Sequence, residues 1–320
     1  MTLKIEECAA IPDERPLAIW ENILSAQAMH PFFHTPQWPD LLCKVIPGAR
    51  PCHRWLKFTD SKEAIFPLIS MPKKFCLRKL ESLPWGTYGG LIGGGLTDEH
   101  LRAAASSVLS WREPVCEIAL PPSLEEQTGA ESSIDWRESF THTLDLSCGF
   151  EEIWRERFQP RTRTAIRRAQ ENGVAIRWSN NESAVRVMRD LYRQARQRWE
   201  GVETLPDAFF EALTDYPGEW IRIWLAEKNG EPLAANVIFY GKGEVQYFAG
   251  ASDLRFSNDQ GSKILTSEII RDACERGCAL FNFGASGGLP GVEQFKRLFG
   301  GGMAIYRRMR FLHPWLNIIR

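Results

Sequence analysis

The stretch from Trp220 to Tyr240 constrains the fold more than any other part of the chain. Two apolar runs, Trp220 to Glu227 and Pro232 to Tyr240, flank the turn Lys228-Asn229-Gly230. Asn-Gly accepts the positive φ angles of the tight turns whose twist matches paired strands, so the two runs form an antiparallel hairpin. A third strand follows (Glu244 to Ala251), then a loop (252–261), then a helix from Ser262 to Arg276 stopped by Gly277. A short buried strand, Ala279 to Phe283, comes next, and Met303 to Phe311 is the last. That order calls for a mixed, mainly antiparallel sheet covered by helices.

The first half repeats the order without visible sequence identity. Helical patterns cover Leu17 to Met29 and the segment after Pro36. Strands follow at Cys52 to Phe58 and Ala64 to Met71, with TDSKE as the turn, and near Phe75 to Leu80. The loop LPWGTYGGLIGGG (83–95) leads to a helix capped by Thr97 or Asp98 and running to Trp111. Strands at Val115 to Leu120 and Thr141 to Leu146 enclose a polar stretch, 121–133. The second half opens, ahead of the hairpin, with a basic helical stretch (Phe150 to Glu171, interrupted by Pro160), a strand (Val174 to Trp178), and helices at Ser183 to Trp199 and from Pro206 to Leu213. The expectation is an α/β (α+β) fold duplicated in tandem, with domains at 1–146 and 147–320.

Composition narrows the class. With 44% hydrophobic and 25% charged residues among 320, and a net charge of −1, the chain as a whole is no polyanion binder; any anion site must be local. Eight scattered cysteines form no C-x-x-C pair, and His30 and His34 are separated by Pro31, so no metal site is expected. No apolar run reaches the ~18 residues of a membrane span. A cytoplasmic protein is expected, and the apolar tail 311–320 is compatible with contact at the inner face of a membrane.

Several groups carry candidate chemistry. In FNFGASGGLPGVEQFKRLFGG (281–301), Lys296 stands on a helical turn between glycine-rich segments. A lysine held there can stabilise developing negative charge; the plain alternative is a solvated helix lysine. Asp253, at the end of the third strand, can accept a proton or simply form a turn. Gln260, Gly261, Ser262 and Lys263 open a helix whose free N–H groups suit a phosphate, unless Ser262 is only its cap. Arg163 and Arg167, within a dense arginine run, share a helix face fit for phosphate or for plain solvation. Trp85 and Tyr88 offer stacking surfaces in a glycine-rich loop that is otherwise a connection. GASGG (284–288) matches the G-x-S-x-G nucleophile elbow around Ser286, but Gly287, Gly288 and Pro290 follow where an elbow needs a helix.

Taken together, TPQW (35–38), LPWGTYGG (83–90), THTLDL (141–146), RTRTAIRRAQENGVAIR (161–177), EPLAANVIFY (231–240), YFAGAS (247–252) and the run ending FKRLFGG resemble the GNAT superfamily of N-acyltransferases. The closer resemblance is to its Fem-type and cellulose-biosynthesis-like branch. It implies two tandem GNAT-like folds and direct attack of an amine on an acyl-CoA carbonyl, without an enzyme nucleophile. It assigns Lys296 to catalysis, beside Asp253 as the proton acceptor read from its position, and Gln260 to Lys263 to the CoA pyrophosphate, although only Gly261 remains of the usual glycine pair. Acyl-CoA is the implied co-substrate and an amine or cell-envelope precursor the acceptor. The alternatives are an aminoacyl-tRNA donor, as in Fem-type peptidoglycan-bridge enzymes, and a catalytically silent module binding RNA or a nucleotide-linked precursor through the arginines. No tRNA-docking coiled-coil insertion is visible.

Overall fold

A computed structural model describes residues 3–10, 15–73, 77–108, 115–120, 135–199, 201 and 204–312. The expected loop at 121–133, the start of the strand near Phe75 and the tail beyond residue 312 lie outside them. The chain divides into two compact units, one of Met1–Phe140 with Ala304–Arg320, the other of Thr141–Met303.

The first unit contains β1 (Ile5–Ala10), α1 (Arg15–Ser25), α2 (Gln37–Val45), β2 (Arg50–Pro51), β3 (Arg54–Phe58), β4 (Glu63–Phe66), β5 (Ile69–Pro72), β6 (Arg78–Ser82), α3 (Asp98–Val108), β7 (Val115–Ala119) and the first part of β8 (Asp135–Asp145). The run expected as one strand from Ala64 to Met71 is two, because Pro67 has no N–H to continue the ladder. Its first part joins a small sheet, β1-β3-β4, and its second joins β2, β5, β6 and β7. Strands β6 and β7 are parallel and α3 connects them. Leu56, Phe58, Phe66, Leu80, Leu101 and Ile118 fill the core.

The second unit contains α4 (Phe150–Glu152), α5 (Pro160–Glu171), β9 (Ala175–Trp178), α6 (Glu182–Arg196), α7 (Asp207–Ala212), β10 (Ile221–Lys228), β11 (Glu231–Tyr240), β12 (Glu244–Ser252), α8 (Gly261–Glu275), β13 (Leu280–Ala285) and α9 (Pro290–Arg297). The final strand, β14 (Gly302–Leu312), pairs with β7 and so completes the first unit's sheet. Asn229 and Gly230 take φ of 52° and 82°, and the hairpin they close pairs Ile221 with Phe239 and Lys228 with Glu231. The basic stretch is not one helix. A π-helical turn at Ile153–Arg157 ends in extended residues Phe158 and Gln159 before Pro160 restarts the helix as α5.

The second unit's strands run β8-β13-β12-β11-β10-β9, with the end of β8 at one edge. β12 and β13 are its parallel pair, and α8 connects them. They bond only from Glu244–Leu280 to Gln246–Asn282. Beyond that point β12 continues along β11 to Ser252, with Phe248 bulged out of register, and β13 stays with β8. The two strands therefore part toward their C-terminal ends, and this opening positions the site.

Candidate active site

At the opening, β13 breaks register. Asn282 pairs with Thr143 and Ala285 with Thr141, so Phe283 and Gly284 face the single residue His142. Gly284 has φ of 73°, which only glycine adopts cheaply, and this forms the bulge. Its carbonyl accepts a hydrogen bond from Lys296 Nζ at 2.6 Å, and Ser286 Oγ lies 3.1 Å from the same nitrogen. Lys296 is only 3% exposed. Its burial goes with the packing around it: partly buried Phe295 on α9 lies 5.2 Å from Phe299, just beyond the helix, and Phe299 joins Phe283 in the unit's core. Burial pulls the Lys296 ammonium down to about 7, with Glu293 as a weaker opposing influence. It is not a solvated helix lysine.

The glycines after Lys296 serve packing. A Cβ at Gly300, whose φ is 82°, would lie 2.6 Å from Arg157 Cβ, and one at Gly301 would lie 3.0 Å from the Lys296 carbonyl. They let the end of α9 close against the π-helical turn.

His142 went unnoticed in the sequence. It is 3% exposed, and neither ring nitrogen has a hydrogen-bond partner. Burial, then the charge of Lys296, holds its pKa below the usual histidine value. Its position opposite a bulge cannot be read without the pairing register. On the same stretch, Asn282 accepts from Thr141 Oγ1 at 2.7 Å and from the Gly284 amide at 2.9 Å, which fixes the bulge.

The start of α8 differs from expectation. Gln260, at φ of 58°, is the residue before the helix and makes no side-chain cap; Ser262 lies inside the first turn. Gly261 is needed for packing, since a Cβ there would sit 2.7 Å from Leu233 Cβ. Lys263 Nζ donates to Gln260 Oε1 at 2.6 Å, and burial, then the charge of Arg161, lowers its pKa. Two cations thus repel each other beside an uncapped helix N-terminus, an arrangement that an anion relieves.

The remaining candidates lie elsewhere or are already engaged. Asp253 is 6% exposed and accepts from the Arg255 amide, Nε and Nη2, the last at 2.6 Å. These bonds hold its carboxyl below the usual range, which makes it a poor proton acceptor. Arg163 Nη1 donates to the Trp154, Arg155 and Phe158 carbonyls, closing the end of the π-helical turn. The Arg167 guanidinium lies 5.7 Å from the centre of the Trp154 ring. In the first unit, Tyr88 is buried between Phe33 and Tyr306, and Trp85 packs on Trp38. Thr87 Oγ1 donates to the Leu83 carbonyl within that loop. The bulge in the β13–β8 ladder thus brings together Lys296, Ser286, Gly284 and His142. Among the described residues no group of His, Cys, Asp and Glu could hold a metal ion.

Residues 156–297 match the family model of an acetyltransferase (GNAT) domain. The second unit has the GNAT fold. FemX superposes over 94% of this chain and 96% of its own, with a TM-score of 0.69 at 12% identity. L-PGS from Bacillus licheniformis covers 96% and 95%, with 0.55 at 12%. N-myristoyltransferase from Saccharomyces cerevisiae, solved with bound myristoyl-CoA, covers 97% and 80%, with 0.50 at 13%. At these identities the likeness is one of fold. No curated protein matches by sequence. In GNAT terms, α8 follows the third hairpin strand and α9 follows the strand parallel to it. No helix among the described residues is long and apolar enough to cross a membrane.

Proposed function

We propose that this chain is an N-acyltransferase that moves an acyl group from acyl-CoA to an amine on a cell-envelope precursor. The observation that carries the reading is the buried Lys296 amine, bonded to the Gly284 carbonyl at the β13 bulge and pulled down to about 7. Near neutral pH both its forms are populated. The ammonium can neutralise charge developing on a thioester oxygen or sulfur, and the amine can take up a proton. The N-terminus of α8, with Lys263 and Arg161, is the place for the pyrophosphate. Asp253 takes the amine proton only when its bonds to Arg255 open.

One observation favours a second donor. Gly261 is packed against Leu233 and Lys263 is bonded to Gln260, so the usual glycine cradle is reduced. That suits an ester donor such as aminoacyl-tRNA, the Fem-type alternative. The silent arginine-patch module is disfavoured at Arg163, whose guanidinium is spent on three backbone carbonyls. Hydrogen exchange separates the donors. Acetyl-CoA protects residues 255–265 if the thioester reading holds; protection by tRNA alone moves the assignment to the ester donor; protection by neither removes both.

A further inference from the structure

We propose that His142 is the proton store of Lys296: it receives the proton that Lys296 draws from the attacking amine, so that Lys296 stays charged while the acyl carbon is tetrahedral. The role rests on the transferase reading and deepens it.

Direct attack creates the need. The amine nitrogen sheds a proton as it bonds the carbonyl carbon, and the carbonyl oxygen gains negative charge at the same moment. Lys296 cannot meet both demands alone, because an ammonium that neutralises the oxygen has no lone pair for the proton. Asp253 is held by the amide and guanidinium of Arg255. A second acceptor has to stand behind Lys296.

His142 stands there. Side chains alternate along β8: Thr141 turns to Asn282, whereas Leu144 joins the core with Phe283 and Phe299. His142 takes the Leu144 side. On β13 it faces Phe283 and Gly284, and the Gly284 carbonyl is the group that accepts from Lys296 Nζ at 2.6 Å. The charged groups that act on the ring are Lys296, Glu293 and Arg297, all from α9, and Glu293 is paired with Arg297. From β12, the uncharged Gln246 amide lies nearest Gly284, and at the start of β14 the uncharged Gly302 lies beside the Thr143 carbonyl.

Both partners have capacity left. An ammonium has three N–H groups, and Lys296 spends two, on the Gly284 carbonyl and on Ser286 Oγ. The His142 ring is 3% exposed and neither nitrogen is hydrogen-bonded, although buried polar groups are nearly always satisfied. In the first unit, by contrast, His53 accepts from the Leu68 amide, and His100 is tied to Thr97 and Asp60. Burial bars the substrate from the His142 ring and suits a group that exchanges protons only with Lys296. Burial and the Lys296 charge also keep the ring neutral near pH 7, the form that accepts. A rotation of the ring or one bridging water completes the path.

The amine nitrogen bonds the carbonyl carbon and gives a proton to Lys296, which passes one of its own to His142. The oxyanion then re-forms the carbonyl and the C–S bond breaks, or the C–O bond of an ester donor. The leaving atom takes a proton from Lys296 as His142 returns the stored one. The products are an amide and a thiol or alcohol, and no further co-reactant is consumed.

The test uses the full chain with acetyl-CoA or alanyl-tRNA as donor and glucosamine or aniline as acceptor. Aniline stays uncharged across the range measured, so an acid limb in its pH–rate profile belongs to the protein. His142→Gln should lower kcat by about 10²-fold, leave the donor KM within about twofold, and remove that limb. In the chain labelled with ¹⁵N-histidine, the His142 ring should titrate below the usual histidine value, in step with the limb, and should move upward in Lys296→Met. His142→Phe serves for assignment if the glutamine variant does not fold. Turnover within about threefold of wild type in His142→Gln, a loss carried by KM, a limb that persists, or a ring unmoved in Lys296→Met each overturns the role and leaves the transferase reading standing. A wild-type chain that acylates neither acceptor from either donor removes the transferase reading, and this role with it.

Discussion

Each unit buries one lysine beside its parallel strand pair, and the two lysines have opposite electrostatics. In the first unit, Lys79 on β6 is 8% exposed and Lys296 in the second is 3% exposed. Burial pulls Lys79 down as well, but Glu81 at 2.7 Å and Glu117 at 2.6 Å reverse that and lift its pKa above the usual lysine value. Glu117 is shared further with Arg308 and Arg310 on β14. Lys296 has a carbonyl and a hydroxyl instead, and burial wins. Two copies of a strand–helix–strand arrangement thus hold a locked ammonium and a titrating amine. What separates a structural lysine from a chemical one is whether a carboxylate reaches it, because depth is nearly equal.

The contrast can be broken most sharply at Lys296. Lys296→Met should lower acyl transfer by at least about 10²-fold while the circular dichroism spectrum stays unchanged. Turnover near the wild-type level would return Lys296 to a packing role. Next in size, Glu81→Gln with Glu117→Gln leaves the Lys79 ammonium buried without a countercharge, and the expected loss is about 3–5 kcal/mol in urea unfolding. A loss below about 1 kcal/mol would mean that water reaches Lys79. A smaller effect concerns pH. The folded state holds Lys296 at about 7, below its unfolded value, so between those values the unfolded chain binds more protons. Wild-type stability should therefore rise relative to Lys296→Met as pH increases from 7 toward 10, and parallel melting curves would argue against the depressed value. The smallest effect is expected at Asp253. Because Arg255 already holds its carboxylate, Asp253→Asn should change turnover less than about threefold; a hundredfold fall would restore it as the proton acceptor.

The sequence discloses structure where local chemistry dictates it. Asn229-Gly230 closes the hairpin, Asn172-Gly173 ends α5, and the order of strands and helices around α8 follows from periodicity alone. Lys296 stands out by its frame, but the reason for its importance does not. Its burial depends on Phe299 meeting Phe283, and its partners depend on a bulge at Gly284. His142 is invisible for the same reason, since a one-residue change of register would face it elsewhere. Arg163 and Arg167 share a helix face as expected, yet the π-helical turn before Pro160 puts carbonyls and a tryptophan ring within their reach. Ser262 suits a cap by type, but the left-handed Gln260 starts the helix two residues earlier than a serine cap would.

The pairing of β14 with β7 sets an order of events during synthesis. The second unit is a single uninterrupted stretch, Thr141–Met303, whereas the first unit's sheet needs a strand made after all of it. On the ribosome, then, the later half of the message can yield a finished body while the earlier half still exposes an open edge at β7. Ending the chain at Met303, which removes the β14 residues paired with β7, should wound the amino-terminal body and spare the one that carries Lys296.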